Sequence, residues 1–563
     1  MDGCLLWLHP RHACGRPGLA TASRTRGEAI HQVLDQALAA DDAWHPFSGD
    51  VIVVKDNDLV SADGLFRIPL QFADVVWSRV GGASSRGRFV PLGGEDDEES
   101  SKAVFCLAPR WSMMELGTAK GFQETVVDEL WLVCAEFQHG SADNVLSIFG
   151  ACGALRWDFT ESFLLTRTLL GSGGFAIVYE GLRRRNFLSL AEAIEDADSE
   201  DEANLASDPS SSVALKLFAK LEGAELATSV INEVYFLSLC GKHPHICSLL
   251  GTYMVQNRYR LTCIICMERY TLGRLNEVVD ANGPFILAQG DVMSICILSA
   301  VAYLHSRWVI HRDIRPEKIL LSEKGEPILM DLGQAARLDD SVAMIRRLGT
   351  AGYVAPEVLD TRSHGYGSLS DVFSAGAVCF FVYSGLEAFR DVNHSATIQR
   401  TLAGKARFSH PKAKQVRTGT LHLLKKMLAA SPKKRPRAAK ACKALWNLGT
   451  EEVKESPMAY KAFCSLPLVE EKSETASFAR LQPVAEFQEE EEEGSEMEMG
   501  FSPTRQGSGP CPSPSVLQRG SQSMTASSVG GVLGVGSIET SQVPKPPARS
   551  SSFFTRFKRI VTR

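Results

Sequence analysis

Glycines 171, 173 and 174 fall in the run Leu170-Gly-Ser-Gly-Gly-Phe-Ala-Ile-Val178, between two strand-like segments. Glycines in such a loop let the backbone come close to a phosphate, because no side chain stands between. Many hairpins carry similar glycines, so the loop by itself fits a plain turn as well as a nucleotide cradle. Further on, Val213-Ala-Leu-Lys216 ends an alternating apolar strand with a lysine. That lysine is either a solvated strand end or a cation placed for a phosphate. A helix-like segment from Thr228 to Cys240 then offers Glu233 as an acidic partner.

Three more segments follow in order. They are His311-Arg-Asp-Ile-Arg-Pro-Glu-Lys318, then Asp331-Leu-Gly333 after an interval that fits a β-hairpin, then Ala355-Pro-Glu357. With the glycine loop and the lysine strand these make five elements whose order and spacing resemble the eukaryotic protein kinase family. His243-Pro-His-Ile resembles the link after the family's αC helix, and Asp371-Val-Phe-Ser-Ala-Gly resembles the start of its buried central helix. Arg435 resembles the arginine that pairs with the glutamate here numbered Glu357. The resemblance runs from Thr160 to Gly449, roughly half the chain. It implies an α+β, bilobal kinase fold with a small β-rich lobe and a large helical lobe. It also implies ATP and Mg2+ as cofactors and proteins as substrates. In its terms Lys216 holds the α- and β-phosphates and is positioned by Glu233. Asp313 orients the substrate hydroxyl and accepts its proton, Arg315 stands near the γ-phosphate, and Asp331 holds magnesium. Gly333 allows the backbone turn after Asp331. Nucleotide contacts are implied at Leu170, Gly171, Ser172, Gly173, Gly174, Phe175 and Val178, and at Ala214, Lys216, Glu268 and Tyr270. Isolated loop aspartates commonly cap turns, whereas Asp313 and Asp331 lie inside matching motifs.

The run Arg315-Pro316-Glu317-Lys318 is closer to the serine/threonine kinases than to the tyrosine kinases. So is Gly349-Thr-Ala-Gly-Tyr-Val-Ala-Pro-Glu357, in which Thr350 is implied to bond to Asp313 and Arg315. Two positions depart from the family. Arg315 replaces the usual lysine, keeping the charge on a planar guanidinium. Lys318 replaces the asparagine that usually binds a second magnesium. An ammonium has donors and no acceptor, so it cannot ligate a cation. It lends its own charge in place of the metal, repels the first magnesium, or points away. Three readings follow: an active serine/threonine kinase, a pseudokinase serving as a nucleotide-binding scaffold, and a membrane-associated adaptor. Arg312 precedes the aspartate in an arrangement that commonly reads an activation-segment phosphate. Four residues before Thr350, where that phosphosite is common, stands Arg346. Fixed charge from Asp339 and Asp340, or modification of Ser341, are the alternatives, and weak dependence on phosphorylation is expected.

These residues need elements to hold them, and 563 residues exceed what one core usually organises. Apolar residues at 44% and charged residues at 22% are ordinary for a soluble globular protein. A net charge of −6 gives no global case for nucleic acid, and none is expected as a partner. The 14 cysteines show no facing CxxC pairs; Cys263-Ile-Ile-Cys266 lies in an apolar run, as buried thiols of a reduced intracellular protein would. The start has no basic leader, Asp2 argues against myristoylation, and Val372 to Leu386 reads as a buried core helix. A cytoplasmic location is expected, with peripheral membrane association as its variant.

Residues 1–43 read as an N-terminal extension and 44–159 as a regulatory domain. In the latter, Val51-Ile-Val-Val-Lys, Phe66-Arg-Ile-Pro-Leu-Gln-Phe and Lys102-Ala-Val-Phe-Cys-Leu suggest strands. A helical pattern from Glu124 to Phe149, with Leu130, Trp131, Val133 and Phe137, closes it. Strands followed by a tryptophan-bearing helix fit a pleckstrin-homology-like module or an unclassified α+β domain. Within the kinase-like span 160–449, residues 183–212 form an insert with eight acidic residues between Glu192 and Asp208. Residues 450–552 read as a disordered linker, Ser-, Pro- and Gly-rich after the acidic run Glu489 to Glu493. Ser502-Pro503 and Ser513-Pro514 are candidate proline-directed phosphosites there. In 553–563, Phe553, Phe557, Ile560 and Val561 share a helical face beside Arg556, Lys558, Arg559 and Arg563. That tail suits an anionic membrane surface, an acidic partner groove or plain solvation.

Overall fold

The computed structural model describes residues 4–8, 13–14, 50–61, 67–79, 102–108, 129–137, 142–173, 176–183, 212–218, 224–256, 261–360 and 365–467. Among the described residues, eight strands precede the first helix: β1 (Cys4–Leu8), β2 (Ala13–Cys14), β3 (Asp50–Lys55), β4 (Asp58–Ser61), β5 (Arg67–Pro69), β6 (Asp74–Arg79), β7 (Lys102–Ala108) and β8 (Glu129–Phe137). Asp56 and Asn57 both have positive φ, 50° and 69°, and Lys55 pairs with Asp58 across them. This is a two-residue turn of the type whose twist suits a hairpin, and short Asp and Asn side chains tolerate it.

Helix α1 (Ala142–Ala151) follows β8. The continuous helix expected from Glu124 to Phe149 is therefore replaced by a strand and a shorter helix, and Trp131 lies on β8. The reason is visible in the run Leu130 to Ala135, which is apolar at every position. Such a run carries no alternation, so periodicity cannot separate helix from strand and the pairing neighbours decide. Here β7 and β1 supply the two neighbours. The tryptophan-bearing helix that suggested a pleckstrin-homology-like module is absent among the described residues.

The two-residue strand β9 (Leu155–Arg156) pairs in parallel with β6 on one side and with a small-lobe strand on the other. That lobe begins at α2 (Phe159–Ser162) and contains β10 (Phe163–Ser172), β11 (Ile177–Arg183), β12 (Ser212–Phe218), helix α3 (Ala224–Cys240), β13 (Leu249–Gln256) and β14 (Leu261–Glu268). Its strand order is β10-β11-β12-β14-β13, and β9 continues it into β6-β7-β8-β1-β3-β4-β5. The exposed edge that β13 would otherwise present is thus covered by the preceding domain. Gly150 of α1 lets that helix reach β13: a Cβ there would stand 2.8 Å from the Leu250 carbonyl oxygen.

The large lobe is helical: α4 (Leu275–Asn282) and α5 (Leu287–Ser306), then the small strands β15 (Val309–Ile310), β16 (Ile319–Leu321), β17 (Pro327–Leu329) and β18 (Ala336–Arg337). Next come α6 (Ser341–Ile345), α7 (Pro356–Leu359), α8 (Leu369–Ser384), α9 (His394–Leu402), α10 (Thr418–Met427) and α11 (Ala438–Leu448). Helix α5 is long and apolar enough to cross a bilayer by length and composition, but most of it is buried inside the protein. An all-round apolar helix at the centre of a lobe has that composition. Helix α8 is likewise buried along nearly its whole length, as the sequence suggests.

Two helices, α12 (Glu451–Glu455) and α13 (Pro457–Cys464), extend the ordered part past Gly449, where a linker was expected. Ser456 caps α13 by accepting from the Ala459 N–H, and Pro457 occupies its first position, both strong start signals. Val453, Met458, Ala459 and Ala462 are buried, and Trp446 stacks on Phe463 at 4.5 Å. Four small or apolar anchors are enough to dock a short helix, and an average over a long polar segment hides them. Residues 184–211 of the acidic insert, residues 468–552 and the basic tail 553–563 lie outside the described residues.

Candidate active site

The glycine run closes the β10–β11 hairpin, with Ser172 opposite Ile177 and Gly171 opposite Val178. The Gly173 N–H donates to the Ala176 carbonyl at 2.9 Å. Gly174 and Phe175 lie outside the described residues. Lys216 sits opposite Val178 in the β11–β12 register, which places its strand directly beside the hairpin. Ala214, two residues earlier, shares its face of β12. At the far end of β14, the Tyr270 hydroxyl donates to Glu268 at 2.8 Å, tying down the connection to the large lobe. Cys263 and Cys266 of the same strand are free and buried, their thiols pushed up to about 12 by burial.

The Lys216 Nζ donates to both Glu233 oxygens, at 2.7 and 2.6 Å, and to Asp331 Oδ1 at 3.3 Å. Burial disfavours an ammonium here, yet the charges of Glu233 and Asp331 more than offset it and hold the lysine protonated. Asp331 follows the same logic in reverse. Burial would raise its carboxyl, but Lys216 and Lys318 keep it well below the usual carboxylate range. Its backbone is left-handed, with φ 66°, which costs energy for a non-glycine residue and turns the carboxylate toward β12. Gly333, in the 3-10 turn Leu332–Gln334, was expected to supply a backbone turn. The left-handed residue is instead Asp331, and Gly333 supplies space: a Cβ there would stand 3.0 Å from Ser229 Oγ on α3.

The loop before β16 is held by Asp371, which is buried at the start of α8. The N–H groups of His311 and Arg312 donate to it at 2.8 and 3.0 Å, and His305 Nε2 lies 3.1 Å away. Burial pushes the Asp371 carboxyl up, and the hydrogen bond and charge of His305 bring it below its ordinary value. These contacts support the left-handed φ of 68° at Arg312 and so aim Asp313. Sequence spacing did not reveal this clamp, since His305 and Asp371 lie 66 positions apart.

Asp313 accepts from the Thr350 hydroxyl at 3.0 Å and from Arg315 Nε at 3.4 Å. Arg315 also reaches Glu317 at 3.4 Å. Lys318 does not point away. Its ammonium contacts Asp331 Oδ2 and lies 3.8 Å from Asp313 Oδ2, bridging the two carboxylates. In the segment between β18 and α7, Asp340 caps α6 through the Ala343 N–H, and Asp339 pairs with Arg337. Neither is the counter-charge of Arg312, which donates to the carbonyls of Gln334 (2.6 Å), Ala343 (2.9 Å) and Ala335 (3.4 Å). Ser341 is the exposed first residue of α6. Glu357 forms a forked pair with the buried Arg435 at 2.6 and 2.7 Å.

The profile of the protein kinase domain family covers residues 165–447. The calcium/calmodulin-dependent protein kinase type 1 of Macrobrachium nipponense is 30% identical over 294 residues, 51% of this chain and 76% of that protein. The calcium/calmodulin-dependent protein kinase type II of Caenorhabditis briggsae is 29% identical over 258 residues, 43% of this chain and 47% of that one. Mitogen-activated protein kinase kinase kinase kinase 3 of Mus musculus is 31% identical over 226 residues, 39% of this chain and 24% of that relative. The chain belongs to the protein kinase family, and its relatives are of the serine/threonine type. Beyond the first of these relatives, the match spans less than half of each protein's length.

Proposed function

We propose that the chain transfers the γ-phosphoryl group of ATP to serine or threonine hydroxyls of protein substrates. The observation that carries this reading is the unbroken line Glu233–Lys216–Asp331 beside a loop that presents Asp313 to Thr350. Phosphoryl transfer has a loose transition state, so the protein's work is positioning and charge stabilisation. Lys216, held by Glu233, binds the α- and β-phosphates under the hairpin of Gly171 and Gly173. Asp313 orients the substrate hydroxyl through one carboxylate oxygen and takes its proton as the oxygen attacks phosphorus. Thr350 and Arg315 keep that carboxylate in place.

Asp331 offers hard carboxylate oxygens of the kind magnesium takes, so the residues fit one divalent cation. Lys318 presents donors alone and does not fit a second. When bound, the cation neutralises phosphate charge.

The test is ATP transfer to a basic, serine-containing protein by the full chain and by Asp313→Asn. The asparagine cannot accept the proton, so kcat should fall by about 10²–10⁴-fold with nucleotide affinity preserved. Wild-type activity no greater than that of Asp313→Asn, with magnesium and with manganese, would sink the reading and leave a nucleotide-binding scaffold.

A further inference from the structure

Helix α3 carries Glu233, and the other end of that helix is gripped by the preceding domain. Asn57 Nδ2 donates to the Ser238 carbonyl at 3.3 Å. That carbonyl is among the last four of the helix, which have no partner within it. Gln71 Nε2 donates to Ser238 Oγ at 2.7 Å and to the Tyr235 carbonyl at 3.3 Å, and the Ser238 hydroxyl donates to the same carbonyl at 2.9 Å. Phe72 is only 2% exposed and belongs to one apolar cluster with Val234, Leu237 and Cys240 of the helix.

The local backbone is strained to make this fit. Phe72 has φ 61°, unusual for a bulky residue, and its N–H is fixed by the Gly153 carbonyl at 2.9 Å. Gly153 itself has φ 86°, and a Cβ there would come 3.3 Å from Ser238 Cβ. The strain is held by the parallel pairing of β9 with both β6 and β13. On the opposite face α3 also lies close, since a Cβ on Gly333 would stand 3.0 Å from Ser229 Oγ.

We infer that Asn57, Gln71 and Phe72 are positioning residues for phosphoryl transfer. They fix the C-terminal turn of α3 so that Glu233, about one and a half turns earlier, stays on Lys216. This rests on the kinase reading above and adds a role for the domain that precedes the kinase fold.

The experiment compares the full chain with Gln71→Ala, Asn57→Ala, Ser238→Ala and the double variant Gln71→Ala/Ser238→Ala. Hydrogen exchange of the amides in 228–240 is measured together with kcat and KM for ATP and the melting temperature. Both single domain variants should speed exchange across α3 about tenfold and lower kcat/KM by roughly 5–30-fold, the scale of one or two lost hydrogen bonds. Gln71→Glu, whose carboxylate has no N–H to give to Ser238 Oγ or to the Tyr235 carbonyl, should lose at least as much as Gln71→Ala. The double variant should lose less than the sum of the two single variants, because either change alone already removes the Gln71–Ser238 bond. Lower melting temperatures with unchanged α3 exchange and unchanged kcat/KM would reduce these residues to structural packing and overturn the inference. Should the wild type transfer no phosphate, the kinase reading fails, and the exchange comparison still decides whether this loop fixes α3.

Discussion

An ammonium in contact with Asp331 and 3.8 Å from Asp313 competes with any cation for the same oxygens. Like charges about 4 Å apart cost a few kcal/mol even at an effective dielectric of about 20. Lys318→Asn removes that charge and adds an amide oxygen able to accept or ligate. The variant should reach half-maximal transfer at a magnesium concentration about tenfold lower, read by titrating the metal at fixed ATP. An unchanged midpoint would mean that Lys318 leaves the oxygens whenever nucleotide binds. That Lys318 is foreign to its motif was legible from its residue type. Where its ammonium goes was not. The answer depends on the left-handed turns at Arg312 and Asp331, which bring residues 13 positions apart into contact and which no periodicity encodes.

Between β18 and α7 the chain is held without added phosphate. Three backbone carbonyls occupy the donors of Arg312, Asp340 caps α6, and the Tyr366 hydroxyl donates to the Arg346 carbonyl at 2.6 Å. A phosphate on Ser341 would have to displace contacts that already satisfy the guanidinium. Ser341→Ala should therefore keep transfer activity within about twofold, since exposed side chains outside such networks matter little. A tenfold loss would show that modification of this serine completes the segment. The order of motifs made the kinase core legible, because each motif carries chemistry that restricts residue type. The strand β8 was not legible as a strand: Leu130 to Ala135 is apolar at every position, and only pairing with β7 and β1 selects the extended form. Helices α12 and α13 were missed for a related reason, since Val453, Met458, Ala459 and Ala462 are few and the two helices pack on α5, far away in sequence.

Across the whole molecule, one loop joins three parts of the chain. Between α3 and β13, His243 Nε2 lies 2.9 Å from Ser465 Oγ just beyond α13, while His245 Nδ1 lies 3.1 Å from the Pro327 carbonyl on β17. The N-terminal domain grips the end of α3 immediately before this loop. Both rings are buried, so anything that charges them loosens the junction at which these parts meet. Burial pushes His243 down to about 3, with His245 and Lys461 adding to the effect, and pushes His245 down to about 4. Both values lie below that of an exposed histidine, so the unfolded chain takes up protons first as pH falls. Stability is thus complete above about pH 6.5 and declines from there toward pH 3–4. At pH 5 each ring should cost about 2 kcal/mol, from roughly 1.4 kcal/mol per pH unit below the unfolded value. Urea midpoints at pH 7.5 and 5.0 measure the sum, and His243→Phe isolates one share. Phenylalanine keeps the ring volume and cannot titrate, so the variant loses the Ser465 contact at both pH values but should show a pH-dependent drop smaller by about 2 kcal/mol. A drop equal to that of the wild type would mean that His243 is already protonated in the folded chain and that its junction is open to water.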